Sequence, residues 1–142
     1  MAILLIIGAL ILPATALNDT EKTTIGSMAT KMLMNSESIT YALVEIGDEN
    51  TMDMWFMEKS TDQDTVLKSL GTTVGVYVGA CKSYPELSDL RLRIGTKEVV
   101  AGEMYCERAW ADEVREDSNG SLNSNDLGLV GLKVLGTYKK TS

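Results

Sequence analysis

The sequence contains no histidine among its 142 residues. Histidine is the usual general base near neutral pH, the commonest zinc ligand, and the partner that activates serine and cysteine nucleophiles. Its absence counts against hydrolases of the Ser-His and Cys-His types and against most zinc centres. Walker loops and the GxGxxG, HExxH, GxSxG and EF-hand motifs are missing as well. We therefore expect a protein that is not an enzyme and has no cofactor or metal site.

Basic residues are also scarce. The chain has 13 lysines and arginines against 20 acidic residues, which gives a net charge of −7. Nucleic acids and anionic lipid surfaces bind positive protein surfaces, so this balance argues against both as partners. A chain of this length with 44% hydrophobic residues is sufficient for one domain with a single core.

An apolar run over residues 2–12 opens the chain and is short for a bilayer-spanning helix. Pro13 ends the run, and Ala14-Thr15-Ala16 matches an A-x-A cleavage pattern. These features predict a signal peptide over residues 1–16, followed by one domain over 17–142. The protein is then expected to be secreted, extracellular or on the cell surface.

Two alternatives remain for the same segment, because no lysine or arginine precedes the apolar run. The segment could be retained as a membrane anchor, which would be the only contact of the protein with a membrane. It could also be a pilin-like stem, although Leu5 stands where such pilins usually carry a glutamate.

The longest helical pattern covers residues 62–84, and we expect the other elements to pack against this central helix. Pro85 ends the pattern. Gly71, Gly75 and Gly79 recur every four residues and make a flat ridge, which is explained either by packing on the sheet or by contact with a membrane or partner helix. The predicted buried face follows a 3.6-residue period and consists of Leu67, Leu70, Val74, Tyr77, Val78 and Cys81.

Helices and hairpins alternate along the rest of the chain. We predict an α+β fold in the order αββαβββ, with an antiparallel sheet of four or five strands and two helices on one face. The predicted segments are a first helix over 21–35 with its N-cap at Asn18, Asp19 or Thr20, strands over 39–46, 52–59, 90–94, 99–108 and 127–138, a short helical or irregular piece over 110–116, and a polar loop over 117–126.

Two cysteines, Cys81 and Cys106, match no metal motif. Both are expected on inward faces, one on the central helix and one on a strand beneath it. If the chain is exported, an intramolecular disulfide is expected, and closing a loop of about 25 residues would contribute about 3 kcal/mol. In a reducing compartment they would be two buried free thiols.

Asn18 and Asn119 begin N-x-S/T sequons and are possible glycosylation sites.

Three polar or methionine-rich features have ordinary structural explanations. Outward Arg91 and Arg93 are expected among Glu103 and Glu107 on a solvated face, with an acid–base carboxylate pair as the alternative. The loop over 117–126 has the oxygen density of a calcium loop without its spacing. The eight methionines are expected to fill the core, with a metal–thioether site as the alternative.

The string VGVYVGACKSYPELSDL over residues 74–90, followed by MYCERAW over 104–110, resembles small exported proteins of unknown function from methanogenic archaea. The resemblance covers about a third of the chain. It implies location and fold only, with no activity or site.

Two functions are expected from the sequence. The first is an exported or cell-surface non-catalytic domain that binds a small molecule or a protein. The alternative is a structural subunit, pilin-like or envelope-associated, that assembles through its apolar N-terminal segment.

Overall fold

A computed structural model describes residues 17–58, 63–95 and 100–140. The predicted signal peptide or anchor over 1–16 lies outside the described residues. Within them the chain forms α1 (Asp19–Met34), β1 (Ile39–Ile46), β2 (Met52–Glu58), α2 (Gln63–Ser83), β3 (Leu90–Gly95), β4 (Val100–Cys106), α3 (Arg108–Asp112), α4 (Ser124–Leu135) and β5 (Lys139–Lys140).

The α+β class is confirmed, but the sheet is mixed. Its five strands follow chain order, and the β1–β2 and β3–β4 pairs are antiparallel. β2 and β3 run parallel, with Met54 opposite Leu92, so the prediction of a wholly antiparallel sheet is wrong. The reason is α2, whose 21 residues extend over about 31 Å and return the chain to the end of the sheet where β2 begins.

The predicted last strand over 127–138 is also wrong, because this region forms α4. Asn123 caps the helix, its side chain accepting a hydrogen bond from the Asp126 amide at 3.0 Å. Val130 and Val134 are buried one helical turn apart, whereas Leu132 between them is 66% exposed. The valines fit a period of two as well as a helical period, so the alternation alone did not decide the structure.

One face of the sheet carries the core. Met52, Met54 and Phe56 of β2 are fully buried beneath α2 and its neighbours. The methionine prediction therefore holds on the strands. It is wrong on α1, where Met28 and Met32 are 55% and 54% exposed. The side chains of α1 that pack inward recur every four positions, at Ile25, Ala29 and Leu33, and Gly26 is buried beside them.

Helix α1 covers the free edge of the sheet formed by β1. It begins at a capping box in which Asn18 and Glu21 each accept a hydrogen bond from the other's backbone amide. Thr30 Oγ1 then accepts from the Val44 amide at 3.0 Å, and Met34 Sδ lies 3.2 Å from the Ala42 amide nitrogen. These contacts satisfy edge amides that would otherwise be open to pairing with another strand.

Candidate functional site: an apolar groove between two helices

The glycine ridge of α2 faces away from the sheet. A Cβ atom placed on Gly71, Gly75 or Gly79 would have no atom of the described residues within 4 Å. The interpretation of the ridge as a helix-on-sheet contact is therefore wrong. Glycine inside a helix costs about 0.5–1 kcal/mol relative to alanine. The described fold thus gains nothing from three glycines that each weaken the helix.

A groove lies between this ridge and α1, with a cavity volume of about 250 Å³. Exposed Met28 and Met32 line its α1 side. Methionine side chains are flexible and polarizable, so they adapt to differently shaped apolar partners. No charged residue of the described part of the chain lines the groove. Its lining consists of Ile25, Met28, Ala29 and Met32 with Gly75, Val76, Gly79, Ala80, Ser83 and Tyr84.

Two larger depressions are more polar. One, of about 680 Å³, lies where the loop after α1 meets the start of α2, and hydroxyl groups, Glu37 and Lys68 line it. The other, of about 540 Å³, lies between α1 and β1, and Lys22, Lys31 and Glu45 are among its lining residues. Charged side chains in such open places remain hydrated. The smaller groove is therefore the better candidate for binding an apolar group.

The two cysteines lie in a second, enclosed cluster with Tyr77. Tyr77 is fully buried, and its hydroxyl donates to the Ser88 carbonyl at 2.6 Å. Cys81 lies one helical turn after Tyr77 and is buried as well. Cys106 Sγ donates to the Glu107 carbonyl at 3.6 Å. Both cysteines are thus buried, as predicted. Both are free thiols in the structure, and the disulfide stays a prediction.

Arg108 binds the loop that follows α2, next to this cluster. Its Nη1 donates to the Pro85 carbonyl at 2.7 Å and also to the Leu87 carbonyl, and its Nε lies 2.9 Å from Asp112 Oδ1. One side chain therefore fixes the loop that follows α2. The sequence singled out neither Arg108 nor the hydroxyl of Tyr77, since both act through backbone carbonyls that only the folded chain brings near.

We expect both thiols of the reduced, folded protein to react slowly with a thiol reagent at pH 8 and rapidly after unfolding. Burial is the main cause that raises the pKa of Cys81 to about 11, and burial together with the neighbouring Cys81 raises the pKa of Cys106 to about 12. Only the thiolate reacts, and it is scarce at pH 8. Comparing absorbance after reagent addition with and without urea checks this. Equal rates in the two conditions would contradict it.

The same pKa shifts predict a loss of stability at high pH. Each thiol has a higher pKa in the folded protein than its ordinary value of 9.0. Its contribution to stability is therefore fully present below pH 9.0, and it is lost as the pH rises towards 11–12. We expect the urea midpoint to fall between pH 8 and pH 10.5. A Cys81→Ala, Cys106→Ala double variant should show a smaller fall, and an identical fall in the two proteins would exclude the thiols as the cause.

Both predicted sequons are exposed. Asn18 begins α1 and uses its side-chain oxygen in the capping box, while Asn119 accepts a hydrogen bond from the Ser121 amide at 3.0 Å. In the polar loop around Asn119, Asp117 accepts from Asn123, and Asp126 instead pairs with Arg115 at 2.8 Å. These pairings account for the oxygen-rich composition of the loop.

The outer face of the sheet carries the predicted arginines. Arg91 and Arg93 are both exposed; Arg93 lies opposite Glu103, and Arg91 lies opposite Tyr105. The charge partner found for Arg91 is Asp53 on β2, with 3.8 Å between Nε and Oδ1. Glu107 lies beyond the end of β4. This arrangement is a solvated charged face, and it does not bring Glu103 and Glu107 together as an acid–base pair.

Comparison of the chain with protein-family models, curated proteins and solved structures finds no match. Among the residues that the structure describes, no cluster of acidic or cysteine side chains could hold a metal ion. The helices within the same residues include none long and apolar enough to cross a membrane.

Proposed function

We propose that this protein is an exported or cell-surface, non-catalytic domain that binds an apolar segment of a protein partner in the groove between α1 and α2. The observation that carries the proposal is the glycine ridge, which weakens α2 and leaves open space at the Cβ positions of its three glycines. Close approach of a second backbone is the common use of glycine at this spacing. Exposed Met28 and Met32 supply adaptable contact area beside it.

A protein segment suits the groove better than a small molecule. Sites for drug-sized ligands usually enclose about 300–1,000 Å³ and place a few polar groups to fix orientation. This groove is smaller, at about 250 Å³, and Ser83 and Tyr84 are its main polar residues. An uncharged groove between two helices matches the row of apolar side chains on one face of a helix.

Export rests on the sequence. The A-x-A pattern after the apolar run, the acidic composition and the resemblance to small exported proteins of methanogenic archaea all favour a location outside the cytoplasm. The alternative function is a structural subunit that assembles through residues 1–16. The same ridge favours it, because glycines spaced by four also suit contact between neighbouring subunits.

A photo-crosslinking residue in place of Met28 tests the proposal in the producing cells. We expect an adduct heavier than one chain, on protein that external protease can reach. Gly75→Leu should reduce the adduct about tenfold by filling the groove, which corresponds to about 1.4 kcal/mol.

Gly128→Leu is the matched control, because Gly128 is also helical and also has open space around its Cβ position, but it lies on α4 outside the groove. It should leave the adduct unchanged. An adduct equally reduced by both variants, or protein that protease cannot reach on intact cells, would refute the proposal. Regular ladders of the chain crosslinked to itself would favour the structural subunit.

A further inference from the structure

We propose that Asn119 is a site of spontaneous deamidation, at which the folded loop before α4 converts this asparagine to aspartate and isoaspartate. The site lies outside the groove between α1 and α2 and does not depend on the proposed function. Asn119 also begins one of the two sequons, so the reaction removes a possible glycosylation site.

The residue that follows Asn119 sets it apart from the other asparagines. That residue is Gly120, and none of the other asparagines of the chain precedes a glycine. Deamidation begins when the backbone nitrogen of the following residue attacks the carbonyl carbon of the asparagine side chain. Glycine has no Cβ atom, so its nitrogen is the least hindered and its backbone adopts the required conformation most readily.

The turn at Asn119 holds the side chain over the next peptide group. Its Oδ1 accepts a hydrogen bond from the Ser121 amide at 3.0 Å, which closes a ring that contains the Gly120 nitrogen. The side-chain carbonyl carbon is thereby kept on the side where that nitrogen lies. The Ser121 amide also faces the oxygen on which negative charge develops during the attack, so it stabilises the tetrahedral intermediate.

The surroundings of Gly120 offer no steric obstacle. Its φ of +86° lies in the region that favours glycine, and a Cβ atom placed there would meet no described atom within 4 Å. Residues 115–121 are all exposed, so water and hydroxide reach the turn. The Gly120 amide donates to the Asp117 carbonyl at 2.8 Å, but such bonds at exposed turns open locally at little cost in free energy.

Water is the sole co-reactant of the conversion, and no electron is transferred. Hydroxide removes the amide proton of Gly120, whose nitrogen then bonds to Asn119 Cγ. The bond between Cγ and the side-chain nitrogen breaks, and that nitrogen leaves as ammonia after taking a proton from water. Water opens the resulting succinimide ring in one of two ways: cleavage at Cγ gives aspartate, and cleavage at the backbone carbonyl gives isoaspartate.

Asn123, four residues later, is an internal reference because its side chain is held at both ends. Its Oδ1 accepts from the Asp126 amide at 3.0 Å, and its Nδ2 donates to Asp117 Oδ1 at 3.0 Å. This side chain is the N-cap of α4. Turning its carbonyl carbon towards the next backbone nitrogen would break the cap, which costs about 0.5–2 kcal/mol.

The conversion changes both the charge and the modification chemistry of the loop. The new carboxylate adds one negative charge to the net charge of −7, and it has no amide nitrogen to carry a glycan. Isoaspartate also adds a methylene group to the main chain, which lengthens the turn that Gly120 and Asp117 close. Chains without a glycan at Asn119 therefore lose this acceptor as they age.

Incubation of the full chain at pH 8 in water enriched in heavy oxygen tests this, on protein made in a host that adds no N-glycans. Trypsin releases residues 116–133 as one peptide that contains both Asn119 and Asn123. Fragmentation in a mass spectrometer gives the two rates separately, and the heavy oxygen marks only the conversion that occurs during incubation. We expect Asn119 to react at least about tenfold faster than Asn123, a difference in activation free energy of about 1.4 kcal/mol.

Gly120→Ala places a methyl group beside the attacking nitrogen and should slow the reaction at least about tenfold. Ser121→Ala is the matched control, because it destroys the sequon but keeps Gly120 and the backbone donor, and it should leave the rate unchanged. Equal rates at Asn119 and Asn123 in the unaltered chain would overturn the proposal. An Asn119 amide that persists in the folded chain and is lost in urea would also overturn it, since the turn would then protect the amide.

Discussion

Truncation of Tyr77 to alanine is expected to lower the free energy of unfolding by about 3–5 kcal/mol, which is the usual cost of deleting a buried aromatic ring. Tyr77 is fully buried between α2 and the sheet, and it is among the largest side chains of the core. Its removal leaves a cavity beside Cys81 and deletes the hydroxyl that donates to the Ser88 carbonyl. A domain of this size is stable by only about 5–15 kcal/mol, so the loss is a large share of the total.

Tyr77→Phe separates the hydroxyl from the ring. It keeps the packing and removes one donor, so the expected loss is about 1–3 kcal/mol if the Ser88 carbonyl is left without a partner. Ser88 also donates its amide to the Asn50 carbonyl at 2.9 Å, which connects this loop to the β1–β2 turn.

Urea unfolding followed by circular dichroism measures both Tyr77 variants. Leu132→Ala is the control, because Leu132 is 66% exposed and its truncation should change the free energy of unfolding by no more than about 0.5 kcal/mol. A loss below about 1 kcal/mol for Tyr77→Ala would mean that the packing of α2 on the sheet differs from the structure described here.

Gly26→Ala is expected to destabilise the fold, although alanine is the better helix former. A Cβ atom at Gly26 would lie 2.7 Å from the backbone oxygen of Val44, which belongs to β1 and cannot rotate away. Such overpacking costs about 1–3 kcal/mol. The gain in helix propensity offsets up to about 1 kcal/mol of this. We therefore expect a net loss of about 1–2 kcal/mol.

The same substitution at Gly75 should have the opposite sign. No described atom lies within 4 Å of its Cβ position, so only the propensity term remains, and a gain of about 0.5–1 kcal/mol follows. Urea midpoints of the two variants against the parent protein check the contrast. Destabilisation by Gly75→Ala would show that the ridge already contacts another part of the chain. Stabilisation by Gly26→Ala would show that α1 lies farther from β1.

Local sequence determined the elements whose signals are contained within a few residues. The bounds of α1 and α2 follow from the Asn18 cap, the helical period of the apolar residues and Pro85, and both helices lie within two residues of the prediction at each end. β1 also matches, because its antiparallel partner is the next strand along the chain. Such features depend on contacts between near neighbours, which a sequence pattern reports directly.

The tertiary structure decided what depends on distant neighbours. Pairing of β2 with β3 in parallel follows from where α2 delivers the chain, and the helical state of α4 follows from which side of its valines meets the core. Met28 and Met32 were expected in the core with the other methionines, yet α1 buries only the narrower side that contains Ala29 against the edge of the sheet.

The groove illustrates the same division. The sequence identified the glycines at Gly71, Gly75 and Gly79 but could not tell which surface they face, because helical spacing fixes the angle between residues on one helix and not the orientation of that helix on the sheet. Packing of Val74, Tyr77 and Val78 into the core turns the ridge outward towards α1. The sequence alone therefore determined that a flat helix face exists, and the burial of the opposite face decided that it is turned away from the sheet.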